Sequence, residues 1–361
     1  MHNARKYLRL TFPLALERGG VLKDVVLAYE TFGTLNSDKS NAIMLFTGLS
    51  ASAHVASSSQ DPSPGWWESV VGAGKAVDTD RYFLVCLNSL GSCFGSTGPS
   101  SVNPDTAAPY GATFPALMLE DIARAGFHLV RALGIEQLNT LMGTSMGAMV
   151  VLAYAALFPG SARRLVSISG TMAARAASLA LRSLSRDAIR QDPLWNGGNY
   201  AASKPPLQGL ALARKLSLLS YRSPDYLDRR FSRRAPDPSR GETSYEFAVE
   251  AYLDKAAHRG IEHFDANSYL VLSRAIDLFD LARHDTASSV FAQAGFKGAL
   301  VLGARTDALY TPEEQRLLAE ALWSADVPTH YVSVDTEDGH DAFLTDPDGF
   351  SRQIAWFLEN C

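Results

Sequence analysis

Four short apolar runs, each bounded by turn residues, punctuate the first half of the chain: Ala42–Phe46 (AIMLF), Tyr82–Leu87 (YFLVCL), Leu138–Met142 (LNTLM) and Arg164–Ser169 (RLVSIS). Runs of this length without polar alternation predict strands buried on both faces. Leu119–Leu133 (LEDIARAGFHLVRAL) instead repeats its apolar residues at spacings of three and four, with acids in the first turn, which predicts an amphipathic helix. Strands alternating with helices imply an α/β fold with a mostly parallel sheet and helices on both faces. The rhythm changes after Gly170. Residues 171–295 carry Arg-rich helical patterns, for example Ala173–Ile189 and Gly209–Tyr221, and few strand-like runs. They read as an inserted helical lid, with Arg233–Arg240 (RRAPDPSR) as a flexible loop inside it. Strand runs return at Gly298–Gly303 (GALVLG) and Thr329–Val334 (THYVSV), and an amphipathic helix around Asp348–Leu358 closes the chain. The core is therefore expected in two parts, 1–170 and 296–361, on either side of the insertion.

The sharpest chemical signal is Gly143-Thr144-Ser145-Met146-Gly147, a G-x-S-x-G placed between the strand run at Leu138 and the helical run Ala148–Phe158. A serine nucleophile at the end of a strand sits on a very sharp turn, so the residues two before and two after it must be small. A chance match in a Gly- and Ser-rich turn is the competing reading, and the flanking strand and helix weaken it. A serine hydroxyl needs a base to take its proton, and the base needs an orienting acid. Asp307 follows the run GALVLGART and His340 follows VSVDTEDG, so Ser145, Asp307 and His340 stand in the order of an α/β-hydrolase triad. The seven other histidines, His2, His54, His128, His258, His263, His284 and His330, read as surface or packing residues. A tetrahedral oxyanion needs two amide donors; the loop Thr47-Gly48-Leu49-Ser50 after the first strand run suits one, so the amides of Leu49 and Met146 are assigned. Gly48, Ser50 and Ala51 then shape the acceptor pocket. This set gives acyl transfer through a seryl ester and leaves open whether water or another hydroxyl receives the acyl group.

Composition narrows the partners. The 361 residues are 47% hydrophobic and 20% charged, which excludes a disordered or low-complexity chain. Thirty-three basic residues against 38 acidic ones give a net charge of −5, so no basic field exists to hold a nucleic acid. Three cysteines, Cys86, Cys93 and Cys361, have neither metal-site spacing nor the density of a secreted scaffold, and a reducing cytoplasm is expected, with no metal. The apolar stretches are too short for a signal segment or a membrane span.

Several long segments resemble one family, the homoserine O-acyltransferases of the α/β-hydrolase superfamily: Leu27–Asn36 (LAYETFGTLN), Gly65–Asp80 (GWWESVVGAGKAVDTD), Gly91–Pro104 (GSCFGSTGPSSVNP), Gly143–Met149, Gly209–Arg214 (GLALAR), Phe264–Leu281 (FDANSYLVLSRAIDLFDL) and Gly339–Leu344 (GHDAFL). The resemblance implies a ping-pong enzyme: an acyl-CoA acylates Ser145, CoA leaves, and the hydroxyl of an amino acid attacks the acyl-enzyme. Acyl-CoA is then a co-substrate and no cofactor is needed; a homodimer packed through the lid is also implied. It assigns Arg214 to the α-carboxylate of the acceptor and Asp341 to its ammonium, with Tyr221 a weaker candidate for the same pocket, and charge logic agrees. Without the family, Arg214 reads as a solvated helix charge and Asp341 as a turn or cap acid. Where homoserine acetyltransferases usually read H-A-L-T-G, this chain reads Thr47-Gly48-Leu49-Ser50-Ala51. That form, Gly91-Ser92-Cys93, and the run Arg182–Arg190 followed by Trp195-Asn196-Gly197-Gly198 are similar to the serine O-succinyltransferase branch. There an arginine at the place of Arg182 goes with succinyl-CoA, and a guanidinium suits the free carboxylate that an acetyl group lacks. Serine-selective members tend to carry proline and homoserine enzymes glycine where this chain has Ala51, so the acceptor is the softer choice; the resemblance implies succinyl-CoA as donor and L-serine as acceptor, for cysteine synthesis, with acetyl-CoA and L-homoserine as the alternatives.

Overall fold

In the computed structural model, which describes residues 4–237, 239 and 244–361, eight strands form one sheet. They are β1 (Lys6–Arg9), β2 (Val26–Phe32), β3 (Ala42–Phe46), β4 (Phe83–Leu87), β5 (Leu138–Thr144), β6 (Ala162–Ile168), β7 (Gly298–Ala304) and β8 (Thr329–Val334). Their order across the sheet is β1-β2-β4-β3-β5-β6-β7-β8. β2 pairs antiparallel with β1 and with β4, and the remaining neighbours run parallel. The first two strands are absent from the apolar pattern for a physical reason. β1 is an edge strand with mostly exposed side chains, and β2 (VLAYETF) carries a buried glutamate, Glu30, whose charge is met by His54 at 2.9 Å. His2 and part of the Arg233–Arg240 loop lie outside the described residues.

Helices cover both faces. Along β3, Met44 and Phe46 join one apolar cluster while Ile43 and Leu45 join the other, the period-two alternation of a strand buried on both sides. On the first face lie α1 (Leu119–Ala132), α2 (Met146–Leu157), α8 (Ala287–Ala294) and α9 (Pro312–Trp323), contributing Leu129, Met149, Phe291 and Leu318. On the second lies α10 (Pro347–Asn360), through Phe350, Ile354 and Phe357, beside Trp67 and Phe343.

Between β6 and α8 run α3 (Ala176–Gln191), α4 (Leu207–Tyr221), α5 (Pro224–Arg230), α6 (Ala248–His258) and α7 (Ala266–Leu278). α3 and α4 pack on each other, and Ile189, Leu210, Ala213 and Phe264 form a small apolar cluster of their own. The expected end of the insertion at residue 295 is too late. Val290, Phe291 and Ala294 of α8 sit in the same cluster as Met149, so α8 is a core helix, and Leu272, Ala275 and Ile276 tie α7 to that cluster as well. Sequence pattern shows that a helix has an apolar side but not which surface covers it.

The parallel strands end at one edge of the sheet. Phe46 leads into the loop 47–51, Thr144 into Ser145, Ala304 into the turn carrying Asp307, and Val334 into the turn carrying His340. Ligands of open α/β sheets bind outside these carboxyl ends, where loops from several strands converge.

Candidate active site

Ser145 occupies a strained turn between β5 and α2, at φ 53° and ψ −117°, a conformation that costs a non-glycine residue of order 1–3 kcal/mol. Its amide donates to the carbonyl of Ile168 at 2.9 Å, and its carbonyl accepts from the amides of Ala148 and Met149 at 3.0 and 3.3 Å, which ties the turn to both neighbours. The two motif glycines are steric necessities. A Cβ on Gly143 would lie 2.1 Å from the carbonyl oxygen of Gly147, and one on Gly147 would lie 2.0 Å from that of Phe46. Small residues let α2 reach β3 and β5 closely enough to expose the serine at the sheet edge.

The Oγ of Ser145 lies 2.8 Å from Nε2 of His340, and Nδ1 of His340 lies 2.8 Å from Oδ2 of Asp307. The other carboxylate oxygen of Asp307 accepts from the amides of Leu309 and Tyr310, both at 2.9 Å, so the acid is held by its own loop before it meets the imidazole. Asp307 and His340 are both buried. Burial alone disfavours an imidazolium, but the charge and hydrogen bond of Asp307 outweigh it, and the His340 pKa is raised above its ordinary 6.5. Tyr221, Tyr310 and Phe343 surround the ring, with centroids 5.6, 5.3 and 6.3 Å from it. Burial pushes the Tyr310 phenol up to about 12. Gly339, at φ 74°, lets the histidine turn rest against the end of α4; a Cβ there would lie 2.6 Å from the carbonyl oxygen of Tyr221.

A cavity opens above Ser145 and His340. Gly48, Leu49, Ser50 and Ala51 form one wall, and Asp341, Tyr221 and Arg182 are also among its lining residues. A Cβ built on Gly48 lies 3.8 Å from that of Ser145, which puts the 47–51 loop directly beside the nucleophile. Met146 is buried at the N-terminus of α2. Arg214 is the exception among the residues expected to bind the acceptor or the acyl group. It lies one turn before the lining residue Ser217 on α4, half-buried and near Tyr221, but is not among the residues that line the cavity.

Sequence reasoning missed several contributors. Arg222 approaches Asp341 at 3.5 Å and Thr345 at 3.2 Å, so the expected ammonium-binding acid already has a cation near it. Burial nevertheless raises the Asp341 pKa, against the lowering effect of Arg222 and His340. Trp66 and Tyr269 line the cavity and fall in the segments Gly65–Asp80 and Phe264–Leu281 that carry the resemblance, Tyr310 lines it outside those segments, and Asp277 on α7 holds Arg182. His54 binds Glu30 and the carbonyl of Ser63 and has no contact with the triad; His284 pairs with Glu120 and His330 with Gln353. Among the described residues no group of three or more His, Cys, Asp or Glu side chains is placed to hold a metal, and no helix is long and apolar enough to cross a membrane.

This strand order, with a serine on a strained strand-to-helix turn bonded to a histidine that an aspartate orients, defines the α/β-hydrolase class, and a family model described as alpha/beta hydrolase fold matches residues 41–347. Over 99% of both chains, the protein is 46% identical to a serine O-succinyltransferase from Litchfieldella anticariensis. It is 27% identical to the crystal structure of a homoserine O-acetyltransferase from Bacillus anthracis, with a TM-score of 0.89 over 99% of this chain and 97% of that one. A solved esterase is also close, at 28% identity and a TM-score of 0.88 over 98% and 99% of the two chains. The chain belongs to the homoserine O-acyltransferase family of the α/β-hydrolases, in the branch of the serine O-succinyltransferases.

Proposed function

We propose that this protein transfers the succinyl group of succinyl-CoA to the hydroxyl of L-serine. His340 takes the proton of Ser145 as Oγ attacks the thioester carbonyl, the amides of Leu49 and Met146 receive the oxyanion, and the C–S bond breaks as His340 protonates the departing CoA thiolate. The L-serine hydroxyl then attacks the acyl-Ser145 ester, giving its proton to His340, and the ester opens as His340 returns that proton to the departing Ser145 Oγ, releasing O-succinyl-L-serine and free Ser145. Arg214 suits the α-carboxylate of the acceptor and Asp341 its ammonium, with Tyr221, at the end of α4 beside His340, a weaker candidate for the same pocket.

The observation that carries the donor assignment is Arg182. It is a buried arginine in the cavity above Ser145, and its Nη2 is buried without a hydrogen-bond partner. An unpaired buried donor costs free energy, and the free carboxylate of a succinyl group would satisfy it where an acetyl group would not. Arg182→Leu is therefore expected to lower kcat/KM for succinyl-CoA by about 10- to 150-fold, the loss of one charge-assisted bond, and to spare acetyl-CoA. The decisive test of the whole reading pairs succinyl-CoA or acetyl-CoA with L-serine or L-homoserine and compares the four kcat/KM values. The highest is expected for succinyl-CoA with L-serine; no release of CoA above a Ser145→Ala control would sink it. A preference for homoserine would move the acceptor assignment, since one methylene is worth only about 1–3 kcal/mol.

The esterase likeness favours a second reading, in which water replaces the amino acid as acceptor. Rapid hydrolysis of p-nitrophenyl esters, unaltered by L-serine, is its signature; stimulation of CoA release by L-serine counts against it.

Assembly as a homodimer belongs to the same proposal. Leu212 and Leu219, seven residues apart on one face of α4, and Leu184 on the adjoining α3 are 51%, 49% and 57% exposed, apolar side chains of the insertion that a second copy would cover. Sedimentation is expected to show a dimer, and Leu212→Glu with Leu219→Glu a monomer; a native monomer removes the claim.

A further inference from the structure

Arg182 does not stand alone. One helical turn later on α3, Arg186 is also nearly buried, with 12% of its side chain exposed, and both arginines converge on one carboxylate. Nε of Arg182 meets Oδ1 of Asp277 at 2.5 Å, and Nη1 of Arg186 meets Oδ2 at 2.6 Å. Asp277 has 11% of its side chain exposed. Arg182 lines the cavity with Ser145 and His340; Arg186 and Asp277 do not.

The charge count is what matters. A single arginine on a buried aspartate makes a neutral pair, whose guanidinium has little left to offer a further anion. Two arginines sharing one aspartate leave the cluster with one net positive charge, away from water, and with the Nη2 donor of Arg182 unmatched. Asp277 also fixes the orientation of the Arg182 fork by occupying its Nε side, which leaves the Nη edge for a ligand. A monoanionic group entering the cavity completes two charges of each sign.

We propose that Arg186, acting through Asp277, is a positioning residue for donor choice: it keeps the Arg182 cluster cationic and thereby selects acyl thioesters that end in a free carboxylate. The inference rests on the succinyl-transfer reading and extends it to a residue that touches no substrate. It also explains why two arginines stand one turn apart on the same face of α3, where isolated like charges at that spacing are destabilising.

The test is the ratio of kcat/KM for succinyl-CoA to that for acetyl-CoA, with L-serine as acceptor, in the native enzyme, Arg186→Met and Arg186→Lys. Arg186→Met is expected to lower the ratio at least tenfold, through KM for succinyl-CoA, with acetyl-CoA changed less than threefold. Arg186→Lys keeps the charge and is expected within about threefold of the native ratio, and it provides the reading should Arg186→Met fail to fold. Equal losses on both donors in Arg186→Met would mark a merely structural role and overturn the inference, as would an unchanged ratio. Loss of selectivity in Arg186→Lys equal to that in Arg186→Met would show that charge is not what Arg186 supplies, and overturns it as well. Failure of the underlying reading looks different: the native enzyme would then release no CoA from either donor. A native enzyme that transfers acetyl in preference to succinyl would overturn the donor role of Arg182, and this inference with it.

Discussion

Ser145→Ala is expected to lower kcat/KM for acyl transfer by about 10⁴- to 10⁶-fold, because removing the nucleophile removes the covalent route and leaves only binding and the oxyanion donors. Among the described residues no other hydroxyl that lines the cavity is hydrogen-bonded to His340. His340 is within reach of Ser145 Oγ and is oriented for that oxygen alone, at 2.8 Å. The fold is expected to survive, since alanine bears the same left-handed strain as serine at φ 53° and the backbone bonds of the turn to Ile168, Ala148 and Met149 do not use the side chain. Intact-mass measurement checks the covalent step directly. Native enzyme mixed with succinyl-CoA and no acceptor is expected to gain one succinyl group, lost on adding L-serine, and Ser145→Ala to gain none. Residual activity within tenfold of native would show that another group carries the acyl chain.

Asp307→Asn is expected to cost about 10³- to 10⁴-fold and to move the pH profile as well. In the native protein the His340 pKa is raised because the charge and hydrogen bond of Asp307 outweigh the effect of burial. Only the neutral imidazole takes the Ser145 proton, so kcat/KM should fall as pH drops through that raised value. With asparagine the charge is gone and burial remains, so the acid limb shifts to lower pH while the plateau collapses. The amide also offers Nδ1 a donor as readily as an acceptor, which lets the ring present a proton to Ser145 in place of a lone pair. The linkage to stability has the opposite sense to activity. A histidine whose folded pKa is raised contributes stability that is fully present below its unfolded value, near 6.5, and lost as pH rises through the folded one. The native protein therefore gains stability from His340 in the acidic range where the enzyme is least active, and Asp307→Asn is expected to remove that gain. Profiles of kcat/KM and of denaturation midpoint against pH, run on both proteins, check the two signs together; an acid limb that stays in place or rises in the variant would exclude Asp307 as the group that sets it.

Much of the site was legible because it obeys local rules. Gly143, Ser145 and Gly147 are dictated by a turn in which any Cβ at the glycine positions would meet a backbone carbonyl at 2.0–2.1 Å, and such a constraint leaves a motif of fixed spacing. Asp307 and His340 follow strands whose apolar runs, Gly298–Ala304 and Thr329–Val334, locate them at the same sheet edge as Ser145. Strand runs buried on both faces are equally explicit, and β3 spans Ala42–Phe46 as its pattern predicts. β1 and β2 escaped because an edge strand needs no apolar run, and because β2 buries an acid, Glu30, which pairs with His54 from another part of the chain.

The chain taken residue by residue thus specifies the sheet's central strands, the nucleophile turn and the order of the triad, since steric and burial requirements act over a few neighbouring positions. Charge pairing does not work that way. Arg182, Arg214 and Arg222 look alike along the insertion, yet Arg182 lines the cavity, Arg214 stands one turn beyond it and Arg222 approaches Asp341. Which arginine faces the acyl group depends on Asp277, 95 residues from Arg182 and on another helix, and the placing of α8 in the core depends on the surface of α2. A guanidinium's partner is selected by what the folded chain brings within about 3 Å after desolvation, a property of the packed whole with no short-range trace in the sequence.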